Sequence, residues 1–156
     1  MELIVAVDRN WAIGKQGHLL FSIPDDMRHF REMTLGRAIV YGRDTMKTFP
    51  DEKPLPGRTN YVLTHHPDTL PEGCIPVGSA DEIPQDETVF VVGGGSVYEQ
   101  LLPECMVAYV TVVDMDGGGD VFFPDLNASD DWVLISKSDT MSYEGLTYRF
   151  CTYVRM

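Results

Sequence analysis

Basic residues are scarce in this chain. Its 156 residues carry 12 lysines and arginines against 24 aspartates and glutamates, a formal charge of −12. Nucleic acids and anionic membranes are held by basic surface, so the balance argues against both as partners. It also makes each arginine beside a loop a place to look for a small anionic ligand. Cysteine is scarce too. Cys74, Cys105 and Cys151 are odd in number and far apart, which offers no disulfide framework and no zinc-ligand spacing, and fits a reducing compartment. No apolar run approaches the ~18 residues of a membrane span. The chain enters Leu3-Ile4-Val5-Ala6-Val7 without a charged leader, so it reads as a cytoplasmic protein without a secretion signal. Several catalytic signatures are missing as well. There is no G-x-x-x-x-G-K-[ST], no G-x-S-x-G elbow and no H-E-x-x-H helix, and Tyr98 stands where G-x-G-x-x-G needs its last glycine.

What is present is an ordinary globular composition, 44% apolar and 23% charged, of a length that suits one domain. Strand-like runs alternate with short helical patterns over the first two thirds. Strands are predicted at Glu2–Val7, Ala38–Gly42, Thr59–Thr64, Ile75–Val77 and Val89–Val92, with a long loop from Asp8 to Ile23. Pro24 opens a helix to about Leu35, because proline suits the first helical turn. Shorter helices are predicted near Arg43–Thr48, Ser79–Ile83 and Ser96–Leu102. The pattern then turns to β alone: a strand at Met106–Asp114, a glycine-rich loop to Asp120, and a hairpin of Trp132–Thr140 with Leu146–Val154 around Tyr143-Glu144-Gly145. Such alternation implies an α/β fold with parallel strands, an antiparallel C-terminal edge, and ligands at the carboxyl ends of the strands.

Two of those strand ends run through glycine into a helix start. Val92 leads into Gly93-Gly94-Gly95-Ser96, and Tyr41 into Gly42-Arg43-Asp44-Thr45. Glycine admits close backbone approach, and a helix start offers unpaired N–H groups, so both junctions suit phosphate, with Arg43 as a forked cation. A tight turn, or an Arg43–Asp44 pair, is the plain structural alternative. On the Pro24 helix, Asp25 falls on the solvent side as a first-turn acid. Asp26 falls beside Ile23, Met27, Phe30 and Met33, where desolvation raises a carboxyl pKa; a helix cap is its plain alternative. Leu55-Pro56-Gly57-Arg58 is a turn that delivers an arginine suited to a carboxylate. His65-His66 after Thr64 reads as a surface loop or an anion contact, not a metal site. With no nucleophile or metal, a cofactor must carry any chemistry.

Taken in order, seven segments resemble dihydrofolate reductase: Ile4–Asp8, Trp11–Gly14, Ile23–Phe30, Val40–Thr45, Leu55–Asn60, Val91–Tyr98 and Gly119–Pro124. The resemblance implies a single domain over residues 1–156, with an eight-stranded mixed sheet, mostly parallel with an antiparallel C-terminal strand, and about four flanking helices. It implies hydride transfer from NADPH to C6 of 7,8-dihydrofolate with protonation at N5, a monomeric state, and antifolates as ligands. Asp26, Thr111 and Phe21 would be the catalytic positions. Asp26 would bind the pterin 2-amino group and N3, with Thr111 sharing that network. Val5, Ala6 and Val92 would line the pterin pocket, Val5 and Val92 through their carbonyls. Met27, Phe30, Phe49 and Leu55 would contact the substrate, and Arg58 would hold the glutamate α-carboxylate. Ala6, Ile13, Gly14 and Tyr98 would surround the nicotinamide. Gly94, Gly95, Ser96 and Val97 would cradle the pyrophosphate, with Gly93 also at the cofactor and joined to Gly94 by a cis peptide. Gly42, Arg43, Asp44, Thr45, Leu63, Thr64, His65 and Gln100 would complete the cofactor site, Thr64 and His65 facing the 2′-phosphate. Leu19-Leu20-Phe21 departs from the family's usual Leu-Pro-Trp or Met-Pro-Trp, and Ser96 stands where many relatives carry a basic residue. A reductase of riboflavin biosynthesis shares the fold and cofactor, but has no need of Asp26 beside Phe30 or of Arg58. A non-catalytic nucleotide-binding domain has no need of Asp26 at all.

Overall fold

The computed structural model describes all residues from Met1 to Met156. Its elements are β1 (Glu2–Val7), β2 (Ala12–Lys15), β3 (His18–Leu19), α1 (Pro24–Thr34), β4 (Ala38–Tyr41), α2 (Arg43–Met46), β5 (Thr59–Leu63), β6 (Cys74–Val77), β7 (Val89–Val91), α3 (Gly95–Leu101), β8 (Val107–Val113), β9 (Val121–Phe122), β10 (Trp132–Lys137), β11 (Met141–Tyr143) and β12 (Leu146–Arg155). The main sheet runs β10-β12-β8-β1-β7-β4-β5-β6, with β11 paired to β12. β8, β1, β7, β4, β5 and β6 are parallel, and β12 is antiparallel to β8, β10 and β11. There are three α-helices, about four having been expected, and no helix is long and apolar enough to cross a membrane.

The strands are apolar on both sides because both sides are covered. Leu3, Val5 and Val7, Ala38 and Val40, and Val89 and Val91 pack with Val97, Tyr98 and Leu101 of α3. The intervening residues Ile4, Ile39, Tyr41 and Phe90 pack with Phe30 and Met33 of α1 on the other side. The period of two along the strands thus assigns each side chain to one helix or the other.

Three expectations are corrected. The Asp8–Ile23 stretch is not one loop: β2 and β3 pair with each other, and β2 with β9, in a separate three-stranded sheet. The Ser79–Ile83 helix is a single 3₁₀ turn, Ala80–Glu82, closed by a Ser79/Glu82 capping box. The turn at Glu144-Gly145 joins β11 to β12, while β10 pairs with the far half of β12 with a bulge between Leu134 and Ser136.

Candidate active site

The sheet opens where β1 and β7 part. They share register only at Glu2–Phe90 and Leu3–Val91. Beyond that, β1 continues on β8 as far as Val7, and the other side stays on β4 through Val92 N–H to Val40 O and Gly42 N–H to Gly93 O, both 3.0 Å. The resulting crevice lies at the carboxyl ends of parallel strands, between one crossover that carries α1 and another that carries α3, where open sheets of this kind hold ligands. Tyr98, buried at 5% exposure, donates its hydroxyl to the Ile4 carbonyl at 2.6 Å. That fixes the direction of the β1 carbonyls. Ile4 O faces the crevice side and, by alternation, Val5 O faces β8. The expectation that Val5 presents its carbonyl to the pocket is therefore corrected to Ile4. The Val5 side chain lies in the α3-side core.

α1 places Asp26 on this crevice. Pro24 stands in the first turn, and the N-cap is Ile23 with no side-chain cap bond, so neither Asp25 nor Asp26 is the N-cap residue. Thr111, 2% exposed and opposite Ala6 in the β1–β8 register, donates its hydroxyl to Asp26 Oδ1 at 2.6 Å. Burial pushes the Asp26 carboxyl above the ordinary aspartate range. The Thr111 bond and nearby His29 oppose that rise, and the charge of Asp25 adds to it. His29 stacks on Phe150, ring centroids 4.3 Å apart, and burial pushes its imidazole below the ordinary histidine range. Asp25 is more than the solvated acid expected. It accepts from Arg28 and, at 3.0 Å, from the Tyr148 hydroxyl, and the Arg28 bond holds its pKa below the ordinary value.

Phe30, Phe49, Leu55 and Val92 come together against Ile4, Tyr41 and Phe90. Tyr41 meets Phe49 edge to face at 4.9 Å. The Arg58 guanidinium lies 6.0 Å from the Phe30 ring, and its Nε is buried without a partner. Burial, and secondarily Arg31, lowers the Arg58 pKa. An unpaired guanidinium N–H beside an aromatic wall calls for an external acceptor. Met27 does not pack in the α1 stripe as expected; it is 61% exposed.

The two glycine junctions interlock. The Gly93–Gly94 peptide is cis, and Gly93 has φ +125°. A Cβ on Gly93 would lie 3.2 Å from Thr45 Oγ1, and one on Gly95 only 2.6 Å from Val121 Cγ1. Part of the glycine requirement is thus internal packing. Arg43 does not pair with Asp44, which takes Lys47 at 3.2 Å. Its Nε donates to Thr64 Oγ1 at 3.0 Å, and it also donates to the His66 carbonyl. This joins the end of β4 to the end of β5. His65, Ser96 and Gln100 are exposed, while Ile13, Gly14, Leu63 and Thr64 are half-buried.

A family model described as dihydrofolate reductase matches residues 1–155. The chain belongs to the dihydrofolate reductase family. It is 37% identical over 157 residues to the dihydrofolate reductase of Mycobacterium tuberculosis, covering 98% of this chain and 96% of that one. It is 32% identical over 154 residues to the Bacillus subtilis enzyme, covering 96% and 90%. Among solved structures, dihydrofolate reductase from Enterococcus faecalis complexed with NADP(H) and RAB-propyl superposes with a TM-score of 0.86 at 33% identity, covering 99% of this chain and 95% of that chain.

Of the positions that depart from the dihydrofolate reductase pattern, Phe21 packs with Ile23, Val113 and Tyr148, and Ser96 is exposed on α3. Two acids not singled out for any role hold the loops of the crevice. Asp8, 1% exposed, accepts from Asn10 N and Ala12 N through one oxygen and from Gly117 N, at 2.8 Å, through the other. Asp120 takes Gln16 N at 3.0 Å, while its own N–H donates to Gly14 O at 2.9 Å. Both sit inside motifs quoted for the resemblance, but only their distant partners show what they do.

Proposed function

We propose that this family member reduces 7,8-dihydrofolate to 5,6,7,8-tetrahydrofolate with NADPH in the crevice between β1 and β7, with the whole chain acting as one catalytic domain. The observation that carries the reading is the Thr111–Asp26 pair, the carboxyl bonded at 2.6 Å at the crevice and shifted upward by burial. A carboxyl so placed pairs with a flat amidine-like edge, here the pterin N3 and 2-amino group. It also favours the extra proton that the reduction consumes. Asp26 grips the pterin and raises the proton affinity of the ring, Thr111 fixes the carboxyl, and the N5 proton arrives through water. Phe30, Phe49 and Leu55 enclose the aromatic part of the substrate. Arg58, with its free Nε, takes the glutamate α-carboxylate.

NADPH, when bound, supplies the hydride to C6. The residues present fit that cofactor. The side-chain-free bend at Gly93–Gly95 would let backbone approach the pyrophosphate, and Arg43, anchored on Thr64, would supply a cation beside the adenosine end. Ala6, Ile13, Gly14 and Tyr98 surround the nicotinamide. Gly42, Asp44, Thr45, Leu63, His65, Ser96, Val97 and Gln100 complete the cofactor groove. Antifolates occupy the pterin pocket. The enzyme works as a monomer, and its three unpaired thiols suit the reducing cytoplasm.

The test is the loss of absorbance at 340 nm with dihydrofolate and NADPH. Turnover by the wild type that collapses in Asp26→Asn supports the assignment. Absent turnover in the wild type, or unchanged turnover in the variant, rejects it.

A further inference from the structure

Asn60 is one of four buried polar or charged residues, 3% exposed, and no role above uses it. It sits on β5 opposite Ile39 of β4, with its side chain on the α1 face beside Tyr41. The amide is saturated. Oδ1 accepts from the Tyr41 hydroxyl at 2.8 Å and from Leu55 N at 3.0 Å. Nδ2 donates to Leu55 O at 2.9 Å and to Arg58 O at 3.0 Å. Three of these four bonds reach back to the ends of the Leu55–Arg58 turn, and the fourth ties the amide to a tyrosine that is itself fully buried. The turn has one further anchor, Gly57 O accepting from Gly36 N at 2.8 Å. A buried amide with every donor and acceptor used resists rotation, because any other rotamer leaves polar groups unpaired.

We infer that Asn60 is the positioning residue for the tail-binding arginine: it sets the backbone of Leu55 and Arg58 so that the guanidinium stands ready beside Phe30. The inference rests on the Arg58 clamp proposed above. Asn60 touches no reacting group, so its loss acts on the grip of the tail and not on hydride transfer.

The experiment measures KM and kcat for dihydrofolate and for a dihydropterin that lacks the aminobenzoyl-glutamate tail, in Asn60→Asp, Tyr41→Phe, Arg58→Leu and the Asn60→Asp/Arg58→Leu double variant. Asn60→Asp keeps the two acceptor bonds and deletes the two donor bonds. The expected result is a KM for dihydrofolate raised about tenfold, an unmoved KM for the tail-less pterin, and kcat unchanged. The double variant should be no weaker in tail selectivity than Arg58→Leu alone, because Asn60 acts through that side chain. Tyr41→Phe frees one side of the amide and should give a smaller rise of the same kind. It decides the matter if Asn60→Asp does not fold. Equal losses for both pterins in the foldable variants, or no loss in either while Arg58→Leu remains tail-selective, overturns the role of Asn60. Loss of tail selectivity absent in Arg58→Leu itself rejects the clamp, and this inference with it.

Discussion

The α1 side of the crevice and the glycine junctions solve opposite problems. On the α1 side, polar atoms are carried out of water on side chains: the Asp26 carboxyl bonded to the Thr111 hydroxyl, and the Arg58 guanidinium beside Phe30. At the junctions side chains are removed, so that Gly93–Gly95 and Gly42 can lie against Thr45, Val121 and Val97. Substitution therefore has different meanings in the two places. On the α1 side it can abolish function while relieving the fold. At the junctions it introduces atoms where none fit, so stability and ligand binding fall together.

The sharpest way to break this contrast is Asp26→Asn. Its kcat should fall by at least ~100-fold, the range expected for loss of an acid–base group. The folded-state pKa of Asp26 is raised above its unfolded value. Its contribution to stability is therefore full below the unfolded pKa and lost as pH rises through the folded one. At pH 7 the variant no longer bears the cost of the buried charge, and its Tm should rise by roughly 3 °C. A lower Tm in scanning calorimetry breaks the comparison. Gly95→Ala comes next. Its Cβ would lie 2.6 Å from Val121 Cγ1, and crowding of this sort costs ~1–3 kcal/mol. Both Tm and NADPH affinity should drop in the same preparation, with KM for dihydrofolate little changed.

The pH dependence sharpens the picture further. Under conditions where hydride transfer limits the rate, the rate should fall about tenfold per pH unit above the raised Asp26 pKa. A flat profile between pH 5 and 8 contradicts this. Arg43→Leu should weaken NADPH by about tenfold in fluorescence titrations, the scale of a charge-assisted bond; unchanged affinity removes Arg43 from the cofactor site. The smallest effect belongs to Tyr148→Phe, which removes only the 3.0 Å bond to Asp25. Its kcat should change less than about fivefold, since a single part-buried bond of this kind is worth ~1 kcal/mol or less. A loss on the scale of Asp26→Asn would mean that the wrong one of two adjacent carboxyls had been assigned.

Much of the scaffold was legible because its signals are local. Pro24 and the apolar spacing through Phe30 mark α1 and place Asp26 on its inner side. The Val- and Ile-rich runs mark the strands buried on both faces, and the glycines after β4 and β7 mark the crevice. What escaped is held together across long separations. β2, β3 and β9 are two to four residues long, too short for any alternation to register. Gln16 finds Asp120, and Asp25 finds Tyr148, at separations of 104 and 123 residues. Asn60 looks like any polar strand residue until the turn before it folds back onto its amide. The misassigned Val5 carbonyl has a related cause: which way a strand's carbonyls point depends on its neighbours, here β8 on one side and Tyr98 on the other.

The parting of β1 from β7 bears on how readily an inhibitor could be evaded. The Ile4 carbonyl at that gap belongs to the main chain, so codon changes can reshape what surrounds it but cannot delete it. A compound that borrows this acceptor leaves fewer routes to resistance than one that leans on Phe30 or Leu55, whose rings and branches a point mutation can take away.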